Sequence, residues 1–329
     1  MLRPLSAVLA RIVLTFILCS AGIAADDKMP ALKSLPGTGD LASASHSDHF
    51  IFVVAGDNRP AHSSDPQPPI PGTIFAAVKK LGPAFVLWTG DTISGKAPNH
   101  PKRIKGQYKE FLDIAKTAKT PVFNAPGNHE MDDGNNVPNA GMQALYTEHM
   151  GLPYGAFTYG NSRFIALNSE EEPPATANAA LAAAQSKPAK PDKSEAPGYI
   201  DADQLAALKK DLDDNKDKAH IFIFMHHPVK PAKAKDGLDP VSVQALEDLF
   251  KNYSNVSYVF SGHEHMYYNP QSKSGIGKPP GRTDPSQPPD YLVSGGAGAP
   301  LKKLPGGFYH YLVFTVDKGK VSVQLIKVQ

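Results

Sequence analysis

Five short stretches of the chain carry residues able to bind cations or move protons. They are Gly-Asp-Asn-Arg-Pro at 56–60, Thr-Gly-Asp-Thr-Ile-Ser-Gly at 89–95, Pro-Gly-Asn-His-Glu-Met-Asp at 126–132, Met-His-His-Pro-Val at 225–229 and Ser-Gly-His-Glu-His-Met-Tyr at 261–267. Their polar side chains are Asp57, Asp91, Asn128, His129, Glu130, His226, His227, His263, Glu264 and His265, with Arg59 two residues past the first aspartate. Five of the twelve histidines fall in these few positions, so imidazole is concentrated rather than scattered. Oxygen and imidazole donors without sulfur suit zinc, manganese or iron. Taken singly, each stretch is ordinary. Gly-Asp is common in turns, Asn128 alone reads as a turn residue, and two histidines after a strand read as half-buried hydrogen bonders. Gly-His-x-His is stronger, because alternate residues of an extended segment point the same way. The ordered set of five argues for a built site.

Each stretch follows an apolar run. FIFVVAG (50–56), AFVLWTG (84–90), TPVFNAPG (120–127), HIFIFMH (220–226) and VSYVFSG (256–262) read as strands, and DYLVSGG (290–296) precedes the final hairpin. Between the first three lie helical patterns at 73–82 and 107–118. Further helices are expected after Asp203 and over 241–253. Strand and helix alternation is the pattern of a mainly parallel sheet covered by helices. GAFTYGNSRFIALNS (155–169), with Gly160-Asn161 at its turn, and the stretch around Asp317–Lys320 read as hairpins. In open α/β sheets the carboxyl ends of the strands, where loops converge, are where ligands bind.

The chain has 329 residues and one cysteine, Cys19. The first 25 residues have basic Arg3 and Arg11, an apolar Ile12–Leu18 run and small residues near Ala24, the pattern of a secretory signal peptide. Removing it leaves 32 basic against 32 acidic residues (34 minus Arg3 and Arg11) and no cysteine. A periplasmic or secreted protein without disulfides or thiolate chemistry is expected. The neutral balance gives no argument for nucleic acid or an anionic membrane surface, and no run is long enough for a stable membrane span. Residues 26–48 are polar and punctuated by Gly and Pro, and are expected to form a loose leader. The Ala/Pro/Lys-rich stretch 171–198 is expected to be a disordered surface insertion, leaving 49–329 as one domain. NHEMDD and GHEHMYY are not His-Glu-x-x-His and are not expected to open a helix, and no Gly-x-Ser-x-Gly occurs. Zinc-protease and serine-hydrolase readings are set aside.

The order Gly-Asp, Gly-Asp, Gly-Asn-His-Glu, His, Gly-His-x-His over roughly residues 50–316 resembles the calcineurin-like metallophosphoesterase superfamily, of which purple acid phosphatases are one branch. The resemblance implies an α/β fold, a four-layer α/β/β/α sandwich with two mixed sheets, holding two divalent or trivalent metal ions. It implies that Asp91 bridges both ions, that Asp57 and His265 hold the first, and that Asn128, His226 and His263 hold the second. His129 becomes the acid near the leaving group, oriented by Glu130. A small phosphate mono- or diester becomes the substrate, attacked by hydroxide generated at the metals. Two such ions would neutralise phosphoryl oxygens and lower the pKa of a bound water.

Two positions depart from the family pattern. Arg59 stands where many relatives have a histidine ligand to the first metal, and Ser94 stands where purple acid phosphatases supply a tyrosine. The first metal is thus short of one side chain. Extra water, weak binding and recruitment with substrate are all open. Arg59 has two readings: a planar fork gripping two phosphate oxygens, or a surface ion pair. His227 either touches phosphate or forms a supporting hydrogen bond. His62 and His100 are considered and set aside as replacement ligands, and Glu264, between two ligands, is given no catalytic part. A catalytically weak phosphate- or metal-binding relative is the competing reading.

Overall fold

The computed structural model describes residues 28–41, 48–135, 137–173, 196–283 and 287–329. The expected signal peptide and residues 174–195 of the expected insertion lie outside the described residues.

In chain order the elements are β1 His49–Ala55, α1 Pro69–Leu81, β2 Phe85–Trp88, α2 Pro101–Ala115, β3 Val122–Asn124, α3 Asn128–Met131, α4 Ala140–Met150, β4 Gly155–Tyr159, β5 Ser162–Ala166, α5 Ala202–Asp214, β6 His220–Phe224, α6 Pro240–Phe250, β7 Val256–Ser261, β8 Tyr267–Tyr268, β9 Asp290–Ser294, β10 His310–Asp317 and β11 Lys320–Lys327. One sheet runs β11-β10-β1-β2-β3, and the other β4-β5-β6-β7-β9-β8. Both are mixed. β1, β2 and β3 are parallel, as are β5, β6, β7 and β9, and antiparallel strands flank each parallel core.

Strand alternation divides the side chains into three layers of packing. From β1, Phe50, Phe52 and Val54 enter a core shared with Phe164, Phe222, Tyr258 and Phe260 of the other sheet. Val53 and Ala55 point the other way, into a core built with α1, α2 and α4. The far face of the second sheet packs Ile165, Ile221 and Ile223 against Leu208, Leu212, Leu246 and Phe250 of α5 and α6. Three separate cores, one between the sheets and one on the outer face of each, are what the expected four layers require. The central one is aromatic. Phe52 stacks on Phe85 at 5.5 Å and Phe314 at 4.9 Å, and meets Phe222 edge-on at 5.0 Å.

Two expectations need correction. The leader is not loose over its described part: Met29, Leu32 and Leu35 are buried. Leu32 N–H donates to Ala156 O at 3.0 Å and Leu35 N–H to Val122 O at 2.7 Å. Residues 30–38 therefore strap β3, the edge of one sheet, to β4, the edge of the other, and cover backbone groups that edge strands otherwise leave open. Apolar residues every third position in a polar stretch were the overlooked signal. Second, NHEM does form a helical turn, α3: Gly127 caps it and Glu130 accepts from Gly127 N–H, a capping-box contact that stabilises one turn. α4 adds a helix that its weak apolar pattern does not announce, and Asn139 starts it by accepting from Gly141 and Met142 N–H.

Leu35→Ala is expected to cost about 2–4 kcal/mol, seen as a lower urea midpoint with an unchanged slope. No shift would mean that the strap does not dock in solution. Burial lowers the pKa of both His220 and His310 to about 4. The unfolded chain then binds more protons than the folded one between pH 4 and about 6.5, so stability is complete above 6.5 and falls as the pH drops through this window. In metal-free protein, His310→Asn should flatten that slope by up to about 1.4 kcal/mol per pH unit; an unchanged slope in urea titrations between pH 4.5 and 6 would contradict it.

Candidate metal centre

The carboxyl ends of the parallel strands in both sheets meet at one end of the sandwich. Asp57 N–H donates to Gly90 O at 2.9 Å, joining the tips of β1 and β2. Gly262 N–H donates to His226 O at 3.0 Å, joining those of β6 and β7. Ala297 N–H donates to Gly56 O at 2.9 Å, and His263 N–H to Asp57 Oδ1 at 2.8 Å, so the two sheets are tied across the site. Asp57, Asp91, Asn128, His226, His263 and His265 are all brought to this junction, and all are buried.

Asp57, Asp91 and His265 offer ligand atoms that lie within 4.8 Å of one another. His265 Nε2 is 3.6 Å from Asp57 Oδ1 and 3.8 Å from Asp91 Oδ2. The other Asp91 oxygen, Oδ1, lies 3.4 Å from His226 Nε2. His226 Nε2 in turn lies 3.2 Å from Asn128 Oδ1 and 3.1 Å from His263 Nδ1. One carboxylate thus faces two donor sets, one on each oxygen.

Hydrogen bonds behind the site decide which atoms are lone pairs. His226 Nδ1 is 2.7 Å from Thr89 O, and His265 Nδ1 is 2.9 Å from Pro300 O. A carbonyl only accepts, so each Nδ1 carries the proton and each Nε2 presents a lone pair inward. Burial lowers the pKa of His226, keeping it neutral. Its Nε2 lone pair then confronts the acceptors Asn128 Oδ1 and Asp91 Oδ1 with no proton between them. Acceptors packed this way need a cation. Asp57 Oδ2 and Asn128 Nδ2 are buried without a hydrogen-bond partner among the described residues. The carboxylates show the same need. Burial, then the charge of Asp91, raises the pKa of Asp57. Burial pushes Asp91 up as well, but neighbouring positive charge, from His129 first and from Arg59, outweighs it and holds Asp91 well below the usual range. The donor set fits divalent ions of the zinc, manganese and iron kind.

The backbone is bent to make this fit. Asp57, Asp91, His263 and His265 have φ of 62°, 53°, 68° and 46°, four of the seven positive-φ non-glycine residues among the described residues. Such strain persists only where the surroundings impose it. Two glycines make room: a Cβ on Gly262 would lie 2.1 Å from Asp57 Oδ2, and one on Gly127 would lie 2.4 Å from Asp91 Oδ1.

Glu130 does not orient His129, contrary to expectation. Its carboxylate accepts from the backbone N–H of Asp91, Thr92, Ile93 and Gly127, and from the Thr92 hydroxyl. It shapes the loop that carries Asp91. His129 is held instead by Ser94 O, 2.6 Å from its Nδ1, with Nε2 4.0 Å from Asp91 Oδ2. His227 lies beside the ligand set: its ring packs on His263 with centroids 4.2 Å apart, and its Nδ1 is 2.7 Å from Glu170 Oε1. Arg59 is no surface pair. Its Nε lies 3.3 Å from Asp91 Oδ2, with the side chains 18% and 2% exposed. His62 and His100 are exposed and outside the group, and Glu264 turns away to accept from Ala232 and Lys233 N–H.

Ser169, Glu170 and Asp132 were not anticipated. Ser169 Oγ accepts from His227 N–H, and these residues line a cleft of about 250 Å³ beside His227. Ser169 and Glu170 follow β5, which is parallel to β6. The apolar run Phe164–Leu167 leads into Asn168-Ser169-Glu170, the same strand-tip pattern that marks the other sites.

A family model described as calcineurin-like phosphoesterase matches residues 59–267, more than half of the chain. A 78-residue stretch is 33% identical to the 3',5'-cyclic adenosine monophosphate phosphodiesterase CpdA of Pseudomonas aeruginosa, covering 23% of this chain and 28% of that protein. Among solved structures, the fold is similar to purple acid phosphatase PPD1 from yellow lupin (Lupinus luteus) seeds, with TM-score 0.59, 17% identity, and 90% of this chain but 53% of that one covered. It is similar to a dimetal phosphatase from Danio rerio, with TM-score 0.56, 14% identity and coverage of 85% and 99%. It is also similar to GAP50, described as the anchor in the inner membrane complex of Plasmodium, with TM-score 0.53, 14% identity and coverage of 85% and 84%.

Gly262→Ala should weaken cation binding by about tenfold or more, because the added methyl must displace the Asp57 carboxylate and ligand geometry tolerates little displacement. Gly72→Ala, in α1 with nothing within 4 Å of the new Cβ, is the control and should bind as the wild type does. Equal affinities of the two variants for Mn²⁺ by calorimetry would contradict the assignment of Asp57.

Proposed function

The chain belongs to the calcineurin-like phosphoesterase family, and we propose that it is a metal-dependent phosphoric ester hydrolase acting on a small phosphate mono- or diester at a pair of cations. The observation that carries this reading is Asp91, whose Oδ1 faces His226 at 3.4 Å and whose Oδ2 faces His265 at 3.8 Å. A carboxylate so placed would serve both ions: Asp57 and His265 complete one side, and Asn128, His226 and His263 the other. Divalent ions held there would neutralise phosphoryl oxygens and lower the pKa of a bound water.

The chain's own residues supply the remainder. Ser94 O fixes the Nδ1–H of His129, so Nε2 is the atom that passes a proton to the departing alkoxide, a task suited to imidazole. Arg59, anchored to Asp91 through Nε, has further guanidinium N–H groups for phosphate oxygens. Glu170 holds His227 Nδ1, which leaves Nε2 as the atom for any phosphate contact. Glu130 acts only through the loop it holds.

The basic, apolar and small-residue order of the first 25 residues supports export to the periplasm or the exterior. No helix among the described residues is long and apolar enough to cross a membrane. A second reading, a catalytically weak phosphate- or metal-binding protein, is favoured by one observation: the Asp57–His265 side has a cation, Arg59, already resting on the shared carboxylate.

Metal-free protein loaded with Mn²⁺, Zn²⁺ or Fe²⁺ and given chromogenic phosphate mono- and diesters separates the two. Turnover is expected with at least one metal. His129→Ala should reduce kcat by about 10²–10⁴-fold with little change in KM, and Asp91→Ala should abolish both turnover and paired metal binding. Phosphate binding without turnover under any metal would favour the second reading.

A further inference from the structure

We propose that Arg59 is a resident counter-charge that makes the two cation sites unequal: the Asn128–His226–His263 side fills first, and the Asp57–His265 side fills only as the guanidinium is displaced from Asp91. This rests on the metal-centred reading above and concerns how that site is loaded.

Arg59 cannot drift far from Asp91. Its backbone N–H donates to Asp91 O at 2.9 Å, and that of Asn58 does so at 3.0 Å, so the two loops are laced together beneath the side chains. From there Arg59 Nε reaches Asp91 Oδ2 at 3.3 Å, the same oxygen that His265 Nε2 faces at 3.8 Å. The arginine and an ion held by Asp57, Asp91 and His265 would therefore compete for one oxygen, in a place where Asp91 is 2% exposed and solvent screens little.

Donor chemistry gives the direction. The Asp57–His265 side offers three protein donors, two of them carboxylates: Asp57, His265 and Asp91 Oδ2. Without Arg59 it would be the more anionic of the two. With Arg59 in place, one of its two negative charges is already neutralised. The other side has Asp91 Oδ1, Asn128 Oδ1, His226 Nε2 and His263 Nδ1, four donors meeting around His226 Nε2 through the Asp91 oxygen opposite the one that Arg59 Nε holds. A dication entering beside Arg59 meets a like charge a few ångströms away; one entering beside His226 meets lone pairs. Displacement by the second ion then adds the Nε–H, held on Asp91 until that point, to the guanidinium groups that can face phosphate.

The test is titration of Mn²⁺ into metal-free wild type, Arg59→Ala, Arg59→Gln and Arg59→Lys, followed by calorimetry for affinity and by electron paramagnetic resonance for the spin-coupled pair. Wild type should bind two ions in steps separated by about tenfold or more. Arg59→Ala and Arg59→Gln, which remove the charge, should tighten the second step by about tenfold and give the coupled signal at lower Mn²⁺; Arg59→Ala adds no donor, so its gain measures the charge alone, whereas the amide oxygen of Arg59→Gln can itself ligate. Arg59→Lys should keep the separation. Circular dichroism and urea midpoints confirm that each variant is folded, and either neutral variant suffices if the other is not. Two equal steps in wild type, or a second step left unchanged or weakened by both neutral substitutions, overturns the proposal while leaving the metal centre standing. Absence of any bound ion in wild type overturns both.

Discussion

Asp57 and Asp91 are buried side by side, with ligand atoms within 4.8 Å of each other and of His265. At an effective dielectric of about 20, two unit charges that far apart repel by about 3–4 kcal/mol, and removal from water adds to the cost. The chain responds by pushing one carboxylate up and the other down in pKa. That is the compromise of a pair lacking enough positive charge. Dications remove the conflict, because both carboxylates can then ionise. The lone pairs of His226 and Asn128 facing each other at 3.2 Å make the same demand with neutral groups.

Holding mutually repelling groups together requires a rigid frame. The two sheets supply it through an aromatic core in which Phe52 is packed on three sides by Phe85, Phe314 and Phe222. Above that core the strand tips are bonded to one another rather than left as free loops. Glu130 extends the same logic: a buried carboxylate gathers the backbone N–H groups of three consecutive residues, 91 to 93, and so fixes where Asp91 points. Burial and the charge of Asp91 push Glu130 up to about 8, against the N–H donors of Gly127, Thr92 and Ile93 that favour its ionised form. Cation binding at Asp91 would relieve part of that repulsion, so the loop and the metal centre support each other. The leader strap acts at the far edge, joining β3 to β4 where the sandwich would otherwise open.

The strands were legible because they are fully buried apolar runs, and a run such as Phe50–Ala55 has few other readings. Their parallel order followed from the intervening helices, and the ligand set followed from that order, since each tip ends in a polar residue. What was not legible depends on contacts distant in sequence. The role of Glu130 is set by amides some 37 to 39 positions away, and nothing in Asn-His-Glu distinguishes a carboxylate that holds a loop from one that holds a histidine. The left-handed conformations of Asp57, Asp91, His263 and His265 left no mark, because aspartate and histidine tolerate that region without requiring it. Met29, Leu32 and Leu35 were missed because three apolar residues among prolines and glycines form neither helix nor strand, and their burial depends on two sheet edges they do not resemble.

Anomalous X-ray diffraction from crystals of the protein soaked in millimolar Mn²⁺ tests the central claim most directly. Two peaks are expected, about 3.5–4 Å apart, one against each oxygen of Asp91, with His226 bound to one and His265 to the other. Ions elsewhere on the surface with none against Asp91, or a map without bound manganese, would contradict it.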